Sequence, residues 1–306
     1  MRTASGTPSR FDTASRSLRR EVAALWAFAI REFRVWQSYR ANQVLWMTNI
    51  FVTTLMFFLL GKTLAGHAGH LLGPYGTNYM SFVVVGVSAN YFIGSNVADP
   101  FTRIQRSYFN GTMDLLLLSP MSIFTPLIGF MWKSVIDDYP RLVFVGGFGM
   151  LFFGATFHFG QWPLAFLFTV LLLLAGFGIG VISASSFYLL NIKKGEEPIQ
   201  FVVQQLLAAV LAGSYYPITV LPHSLQWVAC IIPHTYAYDA LRRLLDPGAR
   251  MSGAVLPIQR ALPLSPLQVD GLALGLMSVL LLPLGFWLYA RGIGLARSNG
   301  TLTRWQ

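Results

Sequence analysis

The chain is short of charge. Only 11% of its 306 residues are Asp, Glu, Lys or Arg, while 54% are hydrophobic. A soluble domain carries about 25% charged residues, so this composition excludes one and describes an integral membrane protein. Cysteine is nearly absent. The single Cys230 excludes an internal disulfide and a thiolate metal cage, and is read as a small packing residue. A phosphate-binding loop is missing as well. Such a loop needs glycines that bare backbone N–H groups ahead of Lys and Ser/Thr. Leu60-Gly61-Lys62-Thr63 has only the ending, because Met56 stands where the first glycine belongs. The chain is therefore expected to hold no nucleotide, cofactor or metal of its own. His67 and His70 have no third ligand close by and read as loop residues. No secretory leader is recognised, since the first long apolar run starts only after about 40 residues.

What is present is a series of long uncharged runs. Residues 41–60 form a first span, long enough to cross about 30 Å of hydrocarbon. Uncharged sequence around 78–97 gives a second. The run from Leu142 to Ile192 is too long for one crossing and is broken at His158-Phe-Gly-Gln-Trp-Pro163, which gives spans at 140–157 and 163–190. A fifth is read at 199–216 and a sixth at 271–290, the last carrying Pro283. Six spans place both ends on one side. That side would carry fifteen Lys and Arg against five on the other, so both termini are expected in the cytoplasm, at the plasma membrane. The net charge of +10 is thereby assigned to cytoplasmic loops and membrane lipid, not to nucleic acid.

Residues 1–17 are rich in Ser, Thr and Arg and read as a disordered tail; residues 293–306 form a second cytoplasmic tail. Between them and the spans, residues 18–40 place Leu18, Val22, Leu25, Trp26, Ala29, Phe33 and Trp36 at helical spacing, with Arg20, Arg31 and Arg34 opposite. The segment is an expected amphipathic interfacial helix, either a membrane anchor or a docking surface, in which Glu32 is out of pattern. Asn110-Gly-Thr112 and Asn299-Gly-Thr301 match the glycosylation sequon, but both fall on the cytoplasmic side and read as chance. Lys193-Lys194-Gly195-Glu196-Glu197-Pro198 reads as a solvated turn.

The last uncharged run does not end as a plain helix. Gly213 to Arg242 carries three prolines and five Tyr or Trp residues. Irregular backbone at membrane depth survives only where protein or a wet cavity surrounds it, so 213–242 is read as a re-entrant hairpin or outer gate. Its residues are Tyr215, Tyr216, Pro217, Leu221, Pro222, Pro233 and Tyr236. On the other side, the loop 101–122 holds a short apolar helix, Met113 to Leu118, that needs something to pack against.

Two motifs carry a resemblance. Pro233, Thr235, Tyr236, Ala237, Ala240, Leu241 and Arg242 match a P-x-T-Y-A-x-x-A-L-R run. Gly111, Thr112, Met113, Asp114, Leu115 and Leu116, followed by Ser119 and Pro120, match G-T-x-E/D-x-L-x-x-S-P. Both resemble the permease subunits of type-2 ABC exporters. The resemblance implies an all-α membrane protein: six transmembrane helices, an N-terminal amphipathic interfacial helix and an extracellular re-entrant hairpin between spans five and six. It also implies that Gly111 to Pro120 form a coupling helix seated in an ABC ATPase subunit. Two ATPase copies would hold the ATP and Mg2+, and a second permease copy, expected as a homodimer, would complete the pore. The expected cargo is amphiphilic, lipid-linked or drug-like, with glycan export as the alternative within the family.

Lys133, Asp137, Asp138 and Arg141 cluster before the third span, where 133→137 and 137→141 are pairing steps on one helical face. Intramembrane charge is costly and points to function. An ion-coupled secondary transporter is the rival reading, and mutual neutralisation at the interface the plainer one. A membrane transferase using His234 or Asp239 is disfavoured, since no acid/base partners surround them. Gly176-x-x-x-Gly180 and Gly271-x-x-x-Gly275 read as helix-packing spacings.

Overall fold

A computed structural model of the chain describes residues 10–63, 72, 75–76, 78–192, 199, 201–249, 251 and 253–301, with side chains omitted at 10–18, 92 and 204–206. The histidines at 67 and 70, the turn 193–198, Arg250 and the last five residues lie outside it. Among the described residues the structure is helical and contains no strand.

Helix α1 (Arg10–Ser38) begins inside the segment read as a disordered tail. No Gly or Pro follows Pro8 before Tyr39, so nothing interrupts the helix earlier. A one-residue break at Tyr39 separates it from α2 (Arg40–Thr63). Helix α3 (Tyr79–Phe109) starts at Asn78, whose side-chain oxygen accepts from the Met80 and Ser81 amides at 3.0 and 3.3 Å. The short α4 (Thr112–Leu118) is followed by α5 (Thr125–Phe153) and α6 (Trp162–Leu189). A π-helix (Phe201–Leu211) leads into the broken segment. There a 3-10 turn at 218–220, α7 (His223–Ala229) and α8 (Pro233–Leu245) follow in succession. The chain closes with α9 (Pro257–Ala261) and α10 (Pro266–Ser298).

Four of these helices, α2, α3, α6 and α10, are long and apolar enough to cross a membrane. The expected spans at 41–60, 78–97, 163–190 and 271–290 fall on them. The other two fall on shorter apolar pieces. In α5 the longest uncharged stretch is 142–153, because Lys133, Asp137, Asp138 and Arg141 stand midway along the helix. The π-helix has 11 residues, against about 20 for a helical crossing.

The loop expected at 101–122 is helical for most of its length. Pro100 lies inside α3 and cannot donate to the Asn96 carbonyl four residues back. The helix continues nonetheless, and α6 packs against that carbonyl: a Cβ at Gly180 would clash with Asn96 O, and one at Gly176 would press Ile93 at 3.2 Å. The first glycine pair therefore does what its spacing implied. The second does not. Gly275 meets nothing within 4 Å and Gly271 only ordinary contact. The close approach of α10 to α6 is made instead by Gly178 and Gly285, with a Cβ at Gly285 only 2.9 Å from Gly178 O.

Two hydrophobic clusters divide the bundle. The larger lies at one end around Phe82, Phe168, Tyr236, Tyr238 and Leu274. The smaller, around Phe101, Ile104, Phe130, Phe187 and Tyr289, lies at the other. Each supports one candidate site.

Candidate functional site

At the end of the smaller cluster, Asn110 closes α3 and Gly111 turns the chain in the left-handed region at φ 70°. Asn299 and Gly300 close α10 in the same way, with Gly300 at φ 66°. The two Asn-Gly-Thr matches are thus helix C-caps, where Gly tolerates the positive φ. After Gly111, α4 lies on the bundle by one face. Met113 is buried and Leu116 and Leu117 pack on the smaller cluster, while Leu115 and Leu118 are 69% and 83% exposed. Asp114 sits in the first turn of α4, and the Ser119 hydroxyl donates to Leu116 O at 2.6 Å before Pro120. The motif residues 111–120 therefore form one projecting apolar knuckle.

Helix α1 holds the chain on either side of this knuckle. Glu21 accepts from the Ser122 amide at 2.8 Å and from the Thr125 hydroxyl. Glu32, out of pattern in the sequence, is 3% exposed and takes a bidentate pair from Arg103 of α3 at 2.9 and 2.7 Å. Gly129 leaves room for the Phe28 ring, which meets Phe130 edge-on at 6.0 Å.

The charges of α5 are paired, the 133→137 step as the spacing implied and the 137→141 step not. Lys133 binds Asp137 at 2.8 Å and also Asp99 of α3 at 3.2 Å. Arg141 pairs with Asp138 at 2.8 Å, not with Asp137, and shares Ser95 with it. The Arg141 guanidinium also covers the Trp46 ring at 4.5 Å. The choice of partner is tertiary: α3 places Ser95 and Asp99 against this face, which no count within α5 shows.

At the opposite end the broken segment is assembled around its prolines. Pro217 precedes the 3-10 turn, Pro222 precedes α7, and Pro233 is the first residue of α8, positions where a missing N–H costs nothing. Gly213 turns at φ 78°. Tyr215 stacks on Phe57 of α2 with centroids 4.9 Å apart, the Tyr216 hydroxyl donates to Val210 O, and the Tyr236 hydroxyl to Cys230 O at 2.6 Å. Leu221 is half-buried against the larger cluster and Cys230 is buried.

The sequence reading missed what holds this segment. Arg242 and Arg243, two of the five basic residues assigned to the outer side, are 2% and 1% exposed. The Arg242 guanidinium donates to Gly213 O and Ser214 O at 2.7 Å each and to Phe82 O at 3.1 Å, and lies 3.5 Å over the Phe82 ring. A Cβ at Gly86 would collide with both Ser214 O and this guanidinium. Arg243 binds Asp239 at 2.9 Å, and the Gln259 amide donates to Asp239 at 2.5 Å and Asp270 at 2.7 Å. Tyr75, in the connection between α2 and α3, also bonds Asp239, and its burial holds the phenol well above its usual range. Asp239 does have charged company, but it is locked in a structural network. The visible signal was an acid four residues before an arginine at the end of a long uncharged run.

Between α5 and α6, with α3 as back wall and α8 as roof, lies a cavity of about 560 Å3. Val85, Tyr139, Met150, Trp162, Phe166 and Leu245 line it. Its wall is almost wholly apolar, and Tyr139, Trp162 and Phe166 are exposed at its rim.

Taken together, the described residues are helical, and four of their helices are long and apolar enough to cross a membrane, which marks a membrane protein. No protein-family model matches it, and neither does any curated protein.

Proposed function

We propose that the chain is the permease subunit of an ATP-driven type-2 ABC exporter of the plasma membrane, with both termini in the cytoplasm. The observation that carries this reading is the knuckle 111–120. Two leucines stand bare on a seven-residue helix that is backed by the smaller cluster, with α1 fixing the chain before and after it at Arg103, Ser122 and Thr125. Apolar exposure on a rigid mount is what a docking element needs. ABC ATPase subunits, two per assembly, would cap Leu115 and Leu118 and carry the ATP and Mg2+. The permease itself performs transport and no chemistry.

A second copy of the permease completes the path. Helix α2 leaves most of its surface uncovered within one chain, including Val52, Met56 and Leu59, and the π-helix exposes Phe201, Val202 and Val210. The exposed Asn49 on α2 bonds to Tyr91 of α3 at 3.4 Å. A polar group at that depth is better covered by protein or water than by lipid. In this reading α5 and the π-helix complete six crossings, and the segment from Gly213 to Arg242 folds back into the membrane as the outer gate. The burial of two of the five basic residues assigned outside sharpens the charge asymmetry behind the orientation. The apolar cavity between α5 and α6 favours an amphiphilic, lipid-linked or drug-like cargo over a free glycan. The paired charges of α5 favour a structural role over ion coupling.

The test is co-purification with an ABC ATPase subunit and transport in proteoliposomes. ATP-dependent export by the pair, abolished by Leu115→Glu without loss of the folded permease, supports the assignment. Transport by the chain alone on a proton gradient overturns it.

A further inference from the structure

Over its described side chains, residues 19–38, helix α1 is covered along one face only. Between residues 19 and 40 the chain has five arginines and two glutamates. Both glutamates point into the protein, Glu21 on the α5 approach and Glu32 on Arg103. All five arginines, Arg19, Arg20, Arg31, Arg34 and Arg40, are exposed. Among the described residues the one ion pair any of them makes is the loose Arg31–Glu32 contact at 3.8 Å, with a Glu32 already engaged by Arg103. Beside the arginines runs an exposed apolar stripe at helical spacing, Val22, Trp26, Ile30 and Phe33. Phe33 stacks on Trp36 at 6.1 Å.

The tertiary contacts have therefore sorted the charge. What faces away from the protein is a greasy stripe with a one-signed cationic border and, among the described residues, no exposed acid beside it. A helix that lies in a membrane surface with its apolar face down places such a border at headgroup level. Helix α2, able to cross a membrane, starts one residue after α1 ends, which sets α1 at that boundary. A protein partner would be expected to offer the arginines matching acids and the stripe a shaped pocket. A bilayer surface offers both an apolar layer and, when its lipids are anionic, a dense field of phosphates.

We infer that the outer face of α1 is a binding surface for anionic phospholipid headgroups, held by Arg19, Arg20, Arg31 and Arg34 and seated by Val22, Trp26 and Phe33. The inference rests on the membrane assignment alone and not on the exporter reading. Each arginine near an anionic surface strengthens binding by about fivefold, and the attraction is screened by salt within a Debye length.

The experiment uses the full chain in nanodiscs of phosphatidylcholine alone or with phosphatidylglycerol. A fluorophore is attached at Ala27→Cys, an exposed position on α1, in a Cys230→Ser background. Quenching by spin-labelled phosphatidylglycerol is compared with quenching by spin-labelled phosphatidylcholine. The expected result is a several-fold preference for the anionic lipid, which falls with added salt. It should be lost when Arg19, Arg20, Arg31 and Arg34 are changed to Gln, with the melting temperature unchanged. Arg260→Gln, at the far end of the bundle, should retain it. Equal quenching by both lipids in the parent protein overturns the inference, and so does a preference that survives the four substitutions. If the substitutions instead change the oligomeric mass and leave lipid selectivity intact, the face belongs to a second copy and the inference also fails. Loss of ATPase binding with α1 selectivity intact would strike the exporter reading only.

Discussion

Replacing Arg242 by methionine keeps the volume and removes three donors. The carbonyls of Gly213 and Ser214 lose their bonds at 2.7 Å in a turn that offers them no helical partner. Leaving a buried acceptor unpaired costs about 1–3 kcal/mol, so the pair costs about 2–6 kcal/mol. The lost contact with the Phe82 ring adds about 0.5–2 kcal/mol. Against this, the protein no longer buries a cation, which returns several kcal/mol. The net expectation is a loss of about 3 kcal/mol. At about 2–4 °C per kcal/mol this lowers the melting temperature by about 6–12 °C. Thermal unfolding of the full chain in detergent reads it directly. Arg242→Lys should recover about half the loss, because one ammonium cannot fork to two carbonyls and cannot lie flat on a ring. Hydrogen exchange of the amides at 212–216 should rise in the methionine variant while that of α10 stays slow. A methionine variant as stable as the parent would mean that the cost of burying the charge equals everything its bonds return, and Arg242 would not be what holds the turn at Gly213 and Ser214.

Other outcomes follow from the same contacts. Glu32→Gln breaks a buried bidentate pair and should cost about 3–5 kcal/mol, freeing α1 to limited proteolysis ahead of the rest of the chain. Gly180→Val drives a side chain into Asn96 O and should cost about 1–3 kcal/mol or more, whereas Gly275→Val, facing open space, should be near neutral in the same melt. Gly111→Ala meets no atom within 4 Å yet must hold φ 70°, so it should cost about 1–2 kcal/mol, all of it backbone strain. Asp246, buried with its carboxyl raised above the ordinary range by burial, is destabilising once ionised. Its penalty grows as pH rises from the unfolded value through the folded one. Asp246→Asn, which still accepts from the Gly248 amide, should therefore stabilise the protein at neutral pH and leave it unchanged near about pH 3.

The sequence by itself determined the solvent this protein folds in, and with it most of the helices. Long uncharged runs placed α2, α3, α6 and α10, since a charge inside hydrocarbon is too costly to occur by accident. The three prolines announced that the segment after Gly213 could not be one helix, because a proline in a helix interior removes a bond and clashes with the turn before it. The short apolar helix after Gly111 was legible too, from its glycine start and Ser-Pro stop. What the tertiary structure decided is where each charge goes. Glu32 spoils an amphipathic pattern until Arg103 arrives from α3, and Arg141 takes Asp138 instead of Asp137 because Ser95 is there. Arg242 and Arg243 look like loop cations until helix α8 carries them into the core, where backbone carbonyls and Asp239 replace water. Apolar burial depends on one side chain and its solvent, so composition reveals it. Pairing depends on a second group supplied from far along the chain, and only the packed helices bring that group into reach.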